Sequence, residues 1–397
     1  MFCLAKMKIR SIIALFIIGY MIVLMRKAMM TTETEDPVII WWTPFVIKDR
    51  IIECNDVFKC FVTSNRDHVH NPKTKFLMFY GSKFDLHNLP DNRDQPWAIF
   101  HEESPKNLAL FMDKRVQNLF AITSTFSRFS SFPLPLQYLK EVSLLMSKQY
   151  HKKTSLKNAM LTELAPVFYL HSDCDTPSGR DIIVKELMKY IKVDSYGPCL
   201  NNKKLPAKFH LNGTYNLYEP EFMHFVSRYK FVLAIENAQC FDYITEKLWR
   251  PLIAGSVPIY LGSSTVNDWL PNNHSIIHMR DFPDLKDLAK FILKLNQNDK
   301  LYDKYLEHKT HNKVTNLNLM RTLSRGVYGY EKYGEEYGVS SFECYVCENA
   351  HTDDYKRLNK SKESVYDCED PHEKSDWHQM WSMGREEADA LVNRYIP

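Results

Sequence analysis

Two cations stand where helices should begin. Arg180 opens a helix predicted over Gly179–Ile191, with Ile182, Ile183, Leu187 and Ile191 at helical spacing. Lys247, beside Glu246, falls in the first turn of a second helix, N-capped by Thr245 and reaching Ala254. A helix N-terminus offers free N–H groups and the positive end of a dipole, so it attracts phosphate. A cation added there suits a diphosphate leaving group, whose departure leaves a localised anion. Arg supplies a planar fork for phosphate oxygens and Lys a mobile point charge. From spacing alone, solvated helix-end residues explain the two positions equally well.

A second group lies in the N-terminal half. Phe100-His101-Glu102-Glu103-Ser104-Pro105 places two carboxylates just past a buried strand, where catalytic groups of α/β folds project. A glutamate there has the chemistry of a general base, given burial or a neighbour that raises its pKa. On this segment alone an acidic helix start is the simpler interpretation. Asp173-Cys174-Asp175 has the form of a metal-holding DxD, a loose pattern beside a cysteine suited to a disulfide. GxGxxG and GxxxxGK[ST] signatures are absent, which removes the dinucleotide and P-loop classes.

These groups need elements to hold them. Val38–Trp42, Phe76–Tyr80 and Trp97–Phe100 read as buried strands in the first half, the first of them ended by Pro44. Lys148–Asn158 is basic and polar and reads as an inter-domain linker. Beyond it come strands at Pro166–His171, Val193–Tyr196, Phe231–Ile235 and Val257–Leu261, alternating with the two helices. That alternation predicts a parallel α/β sheet. Pro251 should kink the second helix or end it early, and Gly255 suits its C-terminus. In the tail, Trp377, Trp381, Ala388, Leu391 and Val392 predict one amphipathic helix packing back on the body.

The chain has 397 residues, 45% hydrophobic and 25% charged, ordinary for a globular protein, and a net charge of +3 that gives no reason to expect nucleic acid. Its length suggests two domains. Ser11–Met25 is free of charge and nearly all apolar, preceded by Lys6, Lys8 and Arg10 and followed by Arg26 and Lys27. As a helix it covers about 22 Å, a short span with snorkelling ends that suits thin early-secretory membranes; the alternative is a cleaved signal peptide, against which stands the lack of a small-x-small cleavage site soon after it. The preceding basic cluster would stay cytosolic and place the rest in the lumen. Apart from Cys3 there are eight cysteines, compatible with disulfides in an oxidising lumen. Cys344-Tyr-Val-Cys347 lies in a polar, tyrosine-rich stretch and lacks a second CxxC to complete a zinc site. Sequons stand at Asn212, Asn273 and Asn359.

The runs Tyr229-Lys-Phe-Val-Leu-Ala-Ile-Glu236-Asn237, Asp242-Tyr243-Ile-Thr-Glu246-Lys247-Leu248 and Ala254-Gly-Ser-Val-Pro-Ile-Tyr-Leu-Gly262 closely resemble the signature of α1,3-fucosyltransferases. In order along the chain, Trp41-Trp42-Thr-Pro-Phe45 resembles that family's first strand and Glu103-Ser-Pro105 its acceptor-side motif. Asp173 to Arg180 with Asp194–Cys199 resembles its donor-side block, and Ser275–Phe282 a further family segment. The resemblance covers about Val38 to Cys347. His101–Lys106, Thr123–Arg128 and the long tail are similar to a divergent branch associated with endoplasmic-reticulum O-fucosylation of EMI-type protein domains. Ser131, followed by Phe132, departs from an acidic residue common in the family. The departure bears on the acceptor rather than on donor chemistry.

The resemblance implies a GT-B fold of two Rossmann-like domains facing a cleft, which the apolar run at 11–25 would precede as an N-terminal transmembrane anchor. Together with the charges flanking that run, this is the expectation of a single-pass type II protein of the endoplasmic reticulum or Golgi membrane with its catalytic part in the lumen. The expected organisation is a cytosolic tail at 1–10, signal-anchor at 11–25, stem at 26–37, acceptor-side domain at 38–155, GDP-fucose-binding domain at 156–342 and a returning C-terminal segment at 343–397. The implied reaction is inverting transfer of L-fucose from GDP-fucose to glycoprotein acceptors, foremost protein Ser/Thr, without an essential metal or other cofactor. Glu103 would be the base; Arg180 and Lys247 would bind diphosphate. Tyr243 and Glu246 would contact the nucleotide sugar, and Glu236 and Asn237 would shape the loop beneath it. The resemblance also implies that Cys344 and Cys347 pair with Cys54 and Cys60. Alternatives are α1,3 transfer to GlcNAc of N-glycans, a non-catalytic lumenal glycan-binding or chaperone protein, and a metal-dependent transferase of another sugar. The intact Glu103, Arg180, Glu246 and Lys247 set speaks against the non-catalytic reading.

Overall fold

Short apolar runs bounded by turn residues become the strands of two separate sheets. The computed structural model describes residues 36–43, 48–209, 219–324, 337–357 and 363–395. The expected anchor at 11–25, Pro44, and the sequons at Asn212 and Asn359 lie outside the described residues; Asn273 is exposed. No helix among the described residues is long and apolar enough to cross a membrane.

The first sheet contains β1 (Val38–Trp41), β2 (Arg50–Cys54), β3 (Phe58–Thr63), β4 (Thr74–Tyr80), β5 (Trp97–His101) and β6 (Phe120–Thr125), in the order β2-β3-β1-β4-β5-β6. All its pairings are parallel except the β2–β3 hairpin. The second contains β7 (Val167–Tyr169), β8 (Val193–Ser195), β9 (Phe231–Ile235), β10 (Val257–Leu261) and β11 (Ile277–His278), in the all-parallel order β11-β10-β9-β7-β8. Central strands such as β1, β5, β9 and β10 are buried along their whole length, as parallel strands covered on both faces must be.

Helices cover these sheets, and three differ from the sequence expectation. Lys148–Asn158 is not a linker throughout: α1 (Thr154–Met160) begins within it, and Lys157 is fully buried. Its side-chain nitrogen donates to the carbonyls of Tyr229 (2.9 Å) and Gly255 (2.6 Å), so it satisfies two loop ends instead of facing water. α2 (Arg180–Leu187) ends about a turn before Ile191. α3 (Glu246–Ala254) runs through Pro251 to Gly255, which closes it with φ 77°. The proline forfeits one backbone bond; burial of Leu248, Trp249, Leu252 and Ile253 around it offsets that loss.

After α4 (Leu285–Asn296), the CxxC stretch forms α5 (Tyr337–Thr352), and the tail forms α6 (Trp377–Tyr395). α6 buries Trp381, Ala388, Leu391 and Val392, as their spacing predicts. In α5, Cys344 and Cys347 lie three residues apart and so share a face. That face meets the β2–β3 hairpin in the disulfides Cys54–Cys344 and Cys60–Cys347, which join residues 290 and 287 apart. His351 approaches the second sulfur pair, but disulfide sulfurs leave no thiolate for a metal. Cys174–Cys199 and Cys240–Cys368 complete the set among the described residues. Buried Glu343 reinforces the first-sheet junction, accepting from Trp41 Nε1 (2.7 Å) and Arg50 (2.5 Å).

Peptide mapping without reduction should recover these four links. Replacing Cys54 and Cys344 together by Ser should destabilise the fold by up to about 5 kcal/mol, the loop-entropy value for so long a closure. A melting temperature equal to that of the parent would show that the link adds nothing.

Candidate functional site

The carboxyl end of β9 leads into Glu236 and Asn237, then into a loop that returns as α3. Glu236 is fully buried. It accepts from the Thr245 amide (2.8 Å) and the Thr245 hydroxyl (2.8 Å), so it clamps the start of α3 from below. Thr245 caps the helix and also receives Lys247 Nζ at 3.0 Å. Lys247 Nζ lies 3.2 Å from Glu246 and 3.6 Å from Glu236. Burial works against the Lys247 charge, but these two carboxylates outweigh it and hold the ammonium above its ordinary range. Burial likewise opposes the Glu246 charge; Lys247 and Arg250 prevail and keep that carboxyl low. Glu236 is pushed up, chiefly by burial, with Lys247 pulling the other way.

Arg180 faces this cluster from α2. Its neighbour Gly179 adopts φ 61°, and a Cβ there would meet His372 Cβ at 2.5 Å, so glycine is required twice over. Arg180 is 2% exposed. One nitrogen donates to the Asp173 carbonyl and lies 3.7 Å from the Asp173 carboxylate. Nε and Nη1 are buried and have no hydrogen-bond partner. With His171, Asp173, Asn237, Lys247 and Arg250, it lines a cavity of about 180 Å³. Asn237 Oδ1 is also buried there without a partner. Buried N–H groups of a guanidinium are costly when unpaired, and an anion entering between two helix N-termini would satisfy them with charge-assisted bonds. This chemistry suits a diphosphate.

The acceptor-side expectation falls on the opposite sheet. Past β5, Glu102 and Glu103 diverge. Glu102 accepts from the Tyr80 hydroxyl at 2.9 Å, at the end of β4; its Oε2 is buried and unpartnered, and burial first of all pushes its pKa up. Glu103 points across to the other sheet, where Oε2 accepts from the Tyr243 hydroxyl at 3.2 Å. Ser104 caps the turn that follows. Tyr243 is 1% exposed and packs edge-on against Phe126, with ring centroids 4.9 Å apart. Its hydroxyl is bound to Glu103, outside the lining of the Arg180 cavity.

Other bonds across the seam had no sequence signal. Lys106 pairs with Asp173, and its ammonium lies 5.4 Å from the Trp377 ring centroid. Asp173 therefore balances Lys106 and Arg180, while its neighbour Cys174 is tied to Cys199. Arg250, absent from the sequence expectation, was reachable from its i,i+4 spacing to Glu246, 3.6 Å away. His171 carried no pattern; burial, with Arg180 next, holds it well below its ordinary pKa and therefore neutral.

Two family models cover most of this chain: a fucosyltransferase N-terminal model matches residues 34–137, and glycosyltransferase family 10 (fucosyltransferase) C-term matches 161–366. A Xenopus tropicalis protein named GDP-fucose protein O-fucosyltransferase 3 is 44% identical over 314 residues, covering 78% of this chain and 66% of its own. The Danio rerio protein of that name is 39% identical over 374 residues, covering 90% of this chain and 81% of its own. The chain thus spans about two thirds of the first relative's length and more of the second. A crystal structure of an α1,3-fucosyltransferase with GDP-fucose matches 70% of this chain and 82% of its own, at 18% identity and a TM-score of 0.43. With one family model covering more than half of its length, this chain belongs to glycosyltransferase family 10, the fucosyltransferases.

Proposed function

We propose that the protein is an inverting, metal-independent fucosyltransferase of GT-B architecture that transfers L-fucose from GDP-fucose to Ser/Thr hydroxyls of folded glycoprotein domains of the EMI type. We further propose that it works in the lumen of the endoplasmic reticulum or Golgi, held by the span at 11–25; alkaline extraction of the full chain tests the span. The observation that carries the reaction is Arg180, buried with two unpaired guanidinium nitrogens in a cation-lined cavity, across the seam from Glu103. The name shared by the relatives supports a protein acceptor.

In this reading the diphosphate sits between the N-termini of α2 and α3. Arg180 and Lys247 take up the negative charge that grows as the bond from fucose C1 to phosphate oxygen breaks. Fucose is β-linked to GDP, so the acceptor hydroxyl enters from the opposite face, the side of Glu103. Tyr243 engages one oxygen of Glu103, leaving the other to accept the hydroxyl proton. The positive charge a metal supplies elsewhere comes from side chains and helix dipoles.

The direct test is GDP-fucose turnover in EDTA with a panel of folded protein domains beside N-glycan acceptors. Transfer to protein hydroxyls without added metal is expected. Exclusive transfer to N-glycans would overturn the acceptor, and turnover restored only by manganese would overturn metal independence.

Lys247→Ala should reduce donor affinity and kcat together, a loss of roughly 2–4 kcal/mol of transition-state stabilisation. Unchanged kcat/KM for GDP-fucose would place the diphosphate elsewhere. Glu103→Gln keeps the side chain's shape but cannot take a proton, so kcat should fall ~10²–10⁴-fold with GDP binding nearly intact. Glu102→Gln should lose far less, and the reverse ranking in folded variants would transfer the role to Glu102.

A further inference from the structure

The C-terminal tail touches the Glu103 segment, the loop between β9 and α3, and the start of α2. Val365 N–H donates to Gln117 Oε1 (3.0 Å), which anchors the tail to the first sheet. Cys368 is bonded to Cys240, and the two form an antiparallel bridge flanked by Phe241 N–H to Asp367 carbonyl (2.8 Å) and Glu369 N–H to Gln239 carbonyl (2.9 Å). That ties the tail to the loop that holds Tyr243. His372 N–H then donates to the Pro177 carbonyl (2.7 Å), and its side chain packs on Gly179, next to Arg180. Residues 364–375 are thus a strap across both sheets.

Tyr366 is the strap's contact with the proposed base. Its ring is buried between Phe111 and Phe126, with centroids at 5.1 and 5.0 Å, and stacks on His101. Its hydroxyl meets His101 Nδ1 and lies 3.2 Å from the Glu103 carbonyl oxygen. Burial pushes His101 down to about 3, so the imidazole is neutral and carries one N–H. His101 Nε2 is buried with no partner. An orphaned N–H costs more than an orphaned lone pair, so the proton belongs on Nδ1. His101 Nδ1–H then donates to the Tyr366 oxygen, and Tyr366 O–H donates to the Glu103 carbonyl. This chain holds the Glu103 backbone from below while Tyr243 holds its carboxylate from the side.

We propose that Tyr366 is a positioning residue for Glu103 and that the strap carrying it keeps the base in register with the donor loops. The inference rests on Glu103 being the base. It explains why two adjacent carboxylates diverge: Glu102 is held by Tyr80 within its own sheet, whereas Glu103 is held by two tyrosines delivered from beyond it.

The test is Tyr366→Phe in the full chain, which keeps the ring and removes the hydroxyl. Its kcat should fall roughly tenfold or more, as a displaced base requires, while KM for GDP-fucose and GDP affinity stay within about twofold of the parent. Amide exchange at residues 103–106 should accelerate while that of β5 holds. Cys240→Ser with Cys368→Ser cuts the strap without touching the ring stack and should reproduce the kcat-only loss, so the test survives if Tyr366→Phe fails to fold. A parent-like kcat in both variants, an equal loss of kcat and GDP affinity, or unchanged exchange at 103–106 would overturn the proposal. A parent protein with no GDP-fucose turnover would instead overturn the proposed function, and the exchange measurement would still decide the strap.

Discussion

The carboxylate of Asp242 is the point on which the arrangement turns. It is fully buried at the seam between the two sheets and receives Arg128 N–H (3.0 Å), Nε (2.8 Å) and Nη2 (2.6 Å), the Thr265 hydroxyl (2.8 Å) and Trp269 Nε1 (3.1 Å). A carboxylate buried so completely costs several kcal/mol unless paired, and the fork of Arg128, from the end of the first sheet, is the pair it has. Asp242 itself sits in the left-handed region at φ 64°, a strain that surrounding contacts must hold. Ser263 and Thr265 do so by accepting its N–H at 2.9 and 3.0 Å.

Its neighbours in sequence inherit that placement. Cys240 is bonded to the tail, Phe241 stacks on Phe129 at 5.7 Å, and Tyr243 reaches across to Glu103. One loop therefore fixes the approach of the sheets, the course of the tail and the direction of the proposed base. The donor side adds a second latch of the same kind, in which Asp173 joins Lys106 to Arg180. Both latches bring an opposite charge from the other half of the chain, so charge pairing adds to the apolar contacts that Phe126, Tyr243 and Tyr366 make across the seam.

The cation cluster shows how burial and pairing divide the work. Lys247 lies within 3.6 Å of both Glu246 and Glu236, so these carboxylates hold it charged at the edge of the cavity. Arg180 is less completely matched, with one nitrogen on a carbonyl and two on nothing. Arg180 thus presents a rigid planar group whose geometry matches phosphate oxygens, beside the mobile point charge of Lys247.

The sequence by itself determined the local frame of the donor side. β9 at Phe231–Ile235, α3 at Glu246–Ala254 with its Thr245 cap and Gly255 terminus, and β10 at Val257–Leu261 were all legible, because caps, glycine φ values and buried runs act over a few residues. The α6 helix was legible for the same reason, from the spacing of Trp381, Ala388, Leu391 and Val392. Only the tertiary structure decided that Lys157 would be buried on two carbonyls, that Pro251 would be tolerated inside α3, and that Tyr243 would bind a glutamate 140 residues away instead of lining the cavity. Each of these depends on what the rest of the chain places opposite the side chain. A basic residue in a polar stretch reads as solvated until two loop ends present carbonyls to it, and a tyrosine beside a nucleotide motif gives no sign that the other sheet presents a carboxylate to its hydroxyl. Such partners are set by packing across the seam, which local propensity and spacing do not encode.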